Sequence, residues 1–436
     1  MRAIIQAGGK GSRLRNITKN EIPKPMVPIL GKPLLQWQIE QLRKENINEI
    51  FIIVGYLGES IKNYFKDGKE FGVSITYIKE SMPLGTAGGL CYLKKYIQDN
   101  ENIFLIYADL LFDIDFARME EFHFEKKSKL TAFVHPNSHP FDSDIIELDS
   151  EQKITGILSK KKERKGWYGN LVNAGFYILN DKIIQKLPNI QKLDFEKDIL
   201  CEMIDKSDSI FGYRSTEYIK DAGTEKRLCI IENDIKSGYI GKRNLSKKQK
   251  CIFLDRDGTI TKLNGLVDSE DKLELIDGAI EAVRMLNLSE YLAILVTNQP
   301  VVARGMCTIE DVNYIHKKLE TLLGENGVYL DDIIFCPHHP DKGFPEENPI
   351  YKVKCNCRKP GTGMLEKMRD NYHISLEESW IVGDTTVDIM TGKNAGMKTA
   401  LVLTGEHGKD RKYNVKPDMI SNTIQSAVEQ ILNARI

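Results

Sequence analysis

From residue 2 onward, short β-rich runs alternate with longer amphipathic ones: AIIQA, then LLQWQIEQLRKEN, EIFIIVG, GESIKNYFKDG and SITYIKE. That alternation predicts an α/β unit with a largely parallel sheet. The pattern lapses near residues 236–250, where KSGYIGKRNLSKKQK is basic, rich in turn formers and without a hydrophobic period. It resumes with KCIFLDRDGT, AIEAVRMLN, YLAILVTN, VNYIHKKLETLL, SWIVGDTTVDI and KTALVLTG, a second α/β series with no repeat of the first. The expected organisation is a domain over 1–235, a linker over 236–249 and a second domain over 250–436.

A length of 436 residues suits two or three compact units, each able to bury a core. With 41% hydrophobic and 28% charged residues the composition is that of an ordinary globular protein, and a formal net charge of -1 removes the general electrostatic case for nucleic acid or a membrane surface. Small molecules are the expected ligands. The apolar run in MRAIIQAGGKG is too short for a signal peptide, and no stretch approaches the roughly 20 apolar residues of a membrane helix. A cytoplasmic location is expected. Cys91, Cys201, Cys229, Cys251 and Cys307 stand singly among apolar neighbours, which suits reduced, buried thiols rather than a disulfide framework.

The first strand runs into AGGKGSRL at 7–14, where Gly8, Gly9 and Gly11 let backbone N–H groups close around a phosphate. It is not a Walker loop, and Leu14 stands where the dinucleotide fingerprint needs a third small residue. Next comes EIPKPMVPILGKPLL, rigid with four prolines and carrying Lys24. With LGTAGGL at 84–90, YAD at 107–109, VNAGFYIL at 172–179, FEKDIL at 195–200 and KDAGT at 220–224, the first half resembles the sugar-1-phosphate nucleotidylyltransferases. The resemblance implies a Rossmann-like nucleotidyltransferase fold in which a sugar phosphate attacks the α-phosphorus of a nucleoside triphosphate. Negative charge builds between crowded oxyanions, and fixed cations must offset it.

Carried over by motif, Arg13 would grip the departing pyrophosphate, Lys24 would contact the reacting phosphates, and Asp109 with Asp221 would hold Mg²⁺. Gly85 and Thr86 fall in the element that meets nucleobase and ribose, while Asn173, Gly175 and Glu196 fall where the family binds sugar hydroxyls. Where the family often has a Glu-Lys pair before VNAG, this chain has SKKKERKGW at 159–167. Lys160 to Lys162 are candidates for the sugar phosphate, and a solvated charge run is the alternative.

LDRDGTI, residues 254–260, sets two aspartates one residue apart at a strand end. At that spacing Asp255 can attack phosphorus to give an aspartyl phosphate, while Asp257 protonates the leaving oxygen and later activates water. Thr297 and Asn298 after YLAILVTN, Lys359 in CRKPG, and Asp384 with Asp388 in GDTTVD follow in order. This half resembles the haloacid dehalogenase superfamily of phosphatases, which implies a doubly wound fold. It also implies that Thr297, Asn298 and Lys359 bind the phosphate, that Asp384 completes a Mg²⁺ site with Asp255 and the Asp257 backbone carbonyl, and that Asp388 supports them.

Cys336, His338, Cys355 and Cys357 give C-x-H, sixteen intervening residues, then C-x-C, the S/N ligands of a tetrahedral Zn²⁺, with His339 as the alternative imidazole. Four protein ligands leave no place for an activated water, so the ion would be structural and would pin a loop that ends in Arg358 and Lys359. Arg358 and Arg304 would then present charge to a second anionic group, as a bisphosphate requires. Within the superfamily this loop resembles heptose 1,7-bisphosphate phosphatases and histidinol-phosphate phosphatases, and TNQ, ARG and CRKP lie nearer the heptose group. PVV after TNQ and Thr385 after GD depart from it and leave the anomer open.

Joined, the two resemblances imply a bifunctional enzyme of GDP-heptose biosynthesis. It would remove the C7 phosphate of D-glycero-α-D-manno-heptose 1,7-bisphosphate, then transfer GMP from GTP, or the equivalent from another nucleoside triphosphate, to heptose 1-phosphate. Two alternatives stay open: a nucleotidylyltransferase for another sugar 1-phosphate, such as mannose, joined to a histidinol-phosphate-type phosphatase, and a non-catalytic sugar-nucleotide-binding regulator. Assembly as a homo-oligomer is also open.

Overall fold

The computed structural model describes residues 1–9, 14–343 and 346–434. The chain divides into two compact units, the first comprising Met1–His135, Ile146–Leu158 and Asn173–Asn244, the second Pro136–Ile145, Ser159–Val172 and Leu245–Ile436. Two short segments that lie inside the first half of the sequence thus group with the second unit. Both units are mixed α/β.

In the first unit AIIQA forms the strand Arg2–Ala7, with Ala3, Ile4 and Ile5 fully buried. It pairs in parallel with Glu49–Val54 on one side and Asn102–Tyr107 on the other, so that Ile5 faces both Ile52 and Ile106. Ser74–Lys79 extends the parallel set beyond Glu49–Val54, and Val172–Asn180 adds to Asn102–Tyr107 in the antiparallel sense. The strand order therefore reverses at Arg2–Ala7, and a crevice opens at the carboxyl ends of the strands on either side of such a point. Gly8 and Gly9 follow the end of Arg2–Ala7, and Asp109 lies just past the end of the neighbouring Asn102–Tyr107. A separate ribbon pairs Leu110–Asp113 with Tyr218–Asp221, setting Leu110 opposite Asp221, and Ala222 N–H donates to the Asp109 carbonyl at 2.7 Å. That pairing brings two acidic residues far apart in sequence to one strand end.

The second unit holds a six-stranded parallel sheet in the order Asp332–Cys336, Tyr291–Asn298, Lys250–Leu254, Trp380–Gly383, Lys398–Val402, Met419–Ser421. The central strand, KCIFL, is apolar on both faces because helices cover both. Ile252 and Leu254 join a core with the helices Ala279–Asn287, Ile309–Glu325 and Ile424–Asn433, while Cys251 and Phe253 pack with Gly363–Tyr372 on the other side. Full burial of a Leu or Phe side chain stabilises by about 1.5–3 kcal/mol, so the strand that ends in Asp255 is among the firmest parts of the unit. Asp255, Asn298 and Asp384 all stand at the carboxyl ends of neighbouring strands.

The basic stretch after Lys236 packs rather than hanging in solvent. Asn244 is buried and donates to Asp113 at 2.6 Å in the first unit, and Leu245 joins the core of the second. All eight cysteines are free. Cys91 and Cys251 are buried as expected and Cys201 and Cys307 only half-buried, whereas Cys229 is exposed, because it falls on the polar side of the helix Glu225–Lys236, whose buried residues are Leu228 and Ile231. Among the described residues no helix is long and apolar enough to cross a membrane.

Candidate functional sites

The second unit gathers its charge around one buried ammonium. Lys359 is 5% exposed, yet its Nζ lies 2.8 Å from Asp255 Oδ1, 2.5 Å from Asp388 Oδ1 and 3.0 Å from the Val296 carbonyl. Burial pulls the ammonium toward neutrality, but the attraction of Asp255 and Asp388 outweighs it, and the net shift is upward. Its backbone is held as firmly as its side chain. Asn298 Oδ1 accepts from Lys359 N–H at 3.0 Å, and Asn298 Nδ2 donates to the Lys359 carbonyl at 3.1 Å. Asp388 is fixed from its own helix, Thr386–Asn394, through a capping box in which Thr385 accepts from Asp388 N–H while Asp388 Oδ2 accepts from Thr385 N–H.

Carboxylate oxygens of Asp255, Asp384 and Asp388 lie within 4.8 Å of one another, three acids around one lysine. Burial, partly opposed by Lys359, pushes Asp255 up to about 6, and burial with the repulsion of Asp255 and Asp388 pushes Asp384 up to about 8. Asp384 Oδ2 accepts from Glu406 N–H at 2.7 Å, whereas Asp384 Oδ1 is buried without a partner. A buried acceptor of this kind costs free energy unless something meets it. Hard oxygen donors, excess negative charge and an unmet acceptor fit a divalent cation. Gly258 makes the approach feasible: at φ +80° its missing Cβ would stand 2.3 Å from Asp384 Oδ2.

Cys336, His338, Cys355 and Cys357 converge as a second group. His338 Nδ1 stands 3.6 Å from Cys336 Sγ and 3.3 Å from Cys357 Sγ, and Cys357 Sγ is 3.2 Å from both other sulfurs. These separations exceed the ~2.05 Å of a disulfide, and the four side chains are close enough together to hold one metal ion. His339 turns aside, its Nδ1 accepting from Asp341 N–H at 3.2 Å. Arg358 Nη1 donates to the His338 carbonyl at 3.0 Å, and both burial and the nearby Arg304 pull its guanidinium below the ordinary value. The two arginines are therefore electrostatic neighbours. Thr297, 1% exposed, accepts from Gln299 Nε2 at 2.9 Å.

In the first unit, Lys24 Nζ pairs with Asp109 Oδ2 at 2.6 Å, and Arg227 Nη1 grips Asp221 at 2.8 and 2.9 Å. The two carboxylates share the end of the ribbon, each with a cation in attendance. Gly11 and Arg13 lie outside the described residues. Gly85 accepts from Gln6 Nε2 through its carbonyl at 3.2 Å, and Thr86 Oγ1 accepts from Phe195 N–H at 2.7 Å, next to Glu196. Asn173 Nδ2 reaches Tyr177 OH at 2.6 Å and Glu196 Oε1 at 3.4 Å, and Gly175 N–H donates to Asn173 Oδ1 at 3.4 Å. Lys160 to Lys162 are exposed, in the segment that groups with the second unit.

Three features of the first unit are not singled out by the sequence reading. Tyr107 and Tyr177 both donate to Glu196 Oε1, at 2.9 and 3.0 Å, and burial raises the carboxyl's pKa. Tyr107 sits inside the YAD motif and Tyr177 inside VNAGFYIL, so the motifs mark them but their partner is three-dimensional. Glu80, 7% exposed, places Oε2 2.6 Å from where a Cβ at Gly8 would stand and Oε1 2.4 Å from where one at Gly89 would stand. Oε1 has no partner, and burial, slightly opposed by Gln6, lifts the carboxyl to about 7.

A nucleotidyl transferase family model matches residues 2–238, and a HAD-hydrolase-like model matches residues 356–427. The D-glycero-beta-D-manno-heptose-1,7-bisphosphate 7-phosphatase of Salmonella typhi is 39% identical over 163 residues, 37% of this chain and 85% of that protein. A UTP–glucose-1-phosphate uridylyltransferase of Synechocystis is 32% identical over 217 residues, 47% of this chain and 55% of that protein. Among solved structures, HddC from Yersinia pseudotuberculosis aligns with a TM-score of 0.47 at 25% identity, over 54% of this chain and 99% of that one.

Proposed function

This chain belongs to the nucleotidyl transferase family over residues 2–238 and, in its second half, to the family of the D-glycero-β-D-manno-heptose-1,7-bisphosphate 7-phosphatases, and on that footing we propose a bifunctional enzyme of GDP-heptose biosynthesis. The phosphatase step is assigned to 250–436 and the nucleotidyl transfer to 1–235. The observation that carries the first assignment is Lys359, buried between Asp255 and Asp388. Asp255 attacks the C7 phosphorus, Asp257 gives its proton to the leaving sugar oxygen, and Lys359 and Thr297 hold the phosphoryl oxygens with Asn298 fixing the lysine. Arg304 and Arg358 receive the phosphate that stays on C1. The expected anomer is α, although the Salmonella relative's name specifies β.

Heptose 1-phosphate is then the nucleophile of the first unit. Gly8, Gly9 and Gly11 cradle the triphosphate, Arg13 takes the departing pyrophosphate, Lys24 offsets charge at the α-phosphate, and Gly85 and Thr86 border the nucleoside. Asn173, Gly175 and Glu196, the last oriented by Tyr107 and Tyr177, meet the sugar hydroxyls. Mg²⁺, held by Asp109 and Asp221 in one unit and by Asp255, Asp384 and the Asp257 carbonyl in the other, supplies neutralising charge when bound. Cys336, His338, Cys355 and Cys357 hold a structural Zn²⁺. Glu80 favours GTP: a buried carboxyl group with an unmet oxygen suits the adjacent N1–H and N2–H donors of guanine, whereas adenine has an acceptor at N1 and uracil a single N–H between two carbonyls.

Asp255→Asn is expected to abolish phosphate release while leaving conversion of supplied heptose 1-phosphate intact, and Asp221→Ala to do the reverse. Loss of both activities from either folded variant would contradict two independent sites. Glu80→Gln should lower kcat/KM for GTP by roughly 10- to 150-fold, the worth of a hydrogen bond to a charged group, and leave ATP turnover nearly unchanged. Equal loss for both nucleotides would remove Glu80 from base selection. Stripping Zn²⁺ with a chelator, then restoring Mg²⁺, should slow phosphate release and leave nucleotidyl transfer at its starting rate. Full phosphatase activity in folded, zinc-free protein would show that the loop needs no metal.

A further inference from the structure

Arg256 stands between the two aspartates of LDRDG and is the largest fully buried side chain among the described residues. An arginine cannot shed its charge, so burying it requires a partner that repays the loss of water. Its partner is Asp257. Arg256 Nε donates to Asp257 Oδ1 at 3.0 Å and Nη2 donates to Oδ2 at 2.9 Å, a two-pronged grip on the carboxylate. The third nitrogen, Nη1, meets His316 Nε2 at 3.2 Å. Guanidinium only donates, so His316 accepts there. The imidazole is itself held from behind by its helix, Ile309–Glu325, and lies 5.4 Å, edge to face, from Phe335.

Two further side chains approach the carboxylate. Thr261 Oγ1 lies 3.2 Å from Oδ1, and Gln299 Nε2 donates to Oδ2 at 3.0 Å, while Gln299 N–H donates to the Cys336 carbonyl at 2.8 Å. Thr261 Oγ1 lies as near the Arg256 carbonyl, at 3.1 Å, which takes its one proton, so Oδ1 keeps room for a proton from water, and the side chain is still 20% exposed. A carboxylate surrounded by donors is oriented as an acceptor. That is the form wanted in the second half of the reaction, when water attacks the aspartyl phosphate.

We propose that Arg256, braced by His316 and assisted by Gln299, is the positioning residue that holds Asp257 in its water-activating orientation. In that step the water oxygen forms a bond to phosphorus and passes one proton to Asp257. The bond from phosphorus to the Asp255 oxygen breaks, and its electron pair returns to Asp255 as carboxylate. The proton gained is the one Asp257 next gives to a leaving sugar oxygen. This rests on the reading of Asp255 as nucleophile and Asp257 as acid and base.

The test uses the full chain with Mg²⁺, ¹⁸O-labelled inorganic phosphate and ordinary water, following loss of label by mass spectrometry. Exchange requires only that phosphate and Asp255 form the aspartyl phosphate and that water reopen it, so no sugar is involved. The unaltered chain is expected to exchange, and Asp255→Asn to stop. Arg256→Gln should slow exchange by about 10- to 100-fold, the cost of a misplaced group, while the Kd for phosphate moves less than about threefold, within 0.7 kcal/mol. Arg256→Lys should recover part of the rate. Gln299→Leu, which leaves the buried arginine in place, should show a smaller loss of the same kind. Undiminished exchange in folded Arg256→Gln or in Gln299→Leu, or losses matched by weaker phosphate binding, would overturn the inference. Exchange that survives Asp255→Asn, or is absent from the unaltered chain, would instead overturn the phosphatase reading beneath it.

Discussion

The phosphatase half is organised by the need to keep one ammonium charged inside the protein. Lys359 has lost nearly all contact with water and is compensated by Asp255 and Asp388, each within 2.8 Å. Breaking such a buried pair by deleting one partner typically costs about 3–5 kcal/mol, so every element that places these three groups is under constraint. The central strand delivers Asp255, the capped helix delivers Asp388, and Asn298 ties the lysine's backbone to the end of the next strand. Cys357, one of the clustered cysteine and histidine side chains, lies two residues upstream in the same loop. Charge balance, rather than any single contact, explains why so much of this unit converges on one spot. It also leaves Asp384 with an unmet oxygen, which is where a cation is wanted.

The first unit solves a milder version of the problem. Asp109 and Asp221 meet because a short antiparallel ribbon sets Leu110 opposite Asp221, and each carboxylate is paired with a cation that stays partly exposed. Partly solvated pairs are worth far less than buried ones. Glu196 and its two tyrosines are the buried counterpart, a rigid acceptor fixed from both sides.

Strand-end motifs were the legible part of both sites. Asp255, Asp384, Thr297 and the C-x-H and C-x-C pairs lie in local motifs that the sequence displays, and parallel sheets put strand-end residues at one edge. The two α/β series were legible for the same reason, since their periodicity is local. What the sequence hides is long-range pairing. Nothing near Glu80 announces that Gly8 and Gly89 will close on its carboxylate. Nothing in LDRDG says that its arginine turns inward onto His316, sixty residues away. The grouping of Pro136–Ile145 and Ser159–Val172 with the second unit is likewise a property of packing, and Cys229 shows the converse, an apolar-looking neighbourhood that the helix turns toward solvent.

The most direct test of two consecutive steps on one sugar is mass spectrometry of the products formed by the purified chain from heptose 1,7-bisphosphate with Mg²⁺ and nucleotide. The α and β anomers and GTP and ATP are run side by side. GDP-heptose from the α anomer with GTP, and little nucleotide sugar in the other tubes, is the expected result. Absence of any nucleotide sugar from either anomer with GTP, in protein that remains folded, would contradict the account.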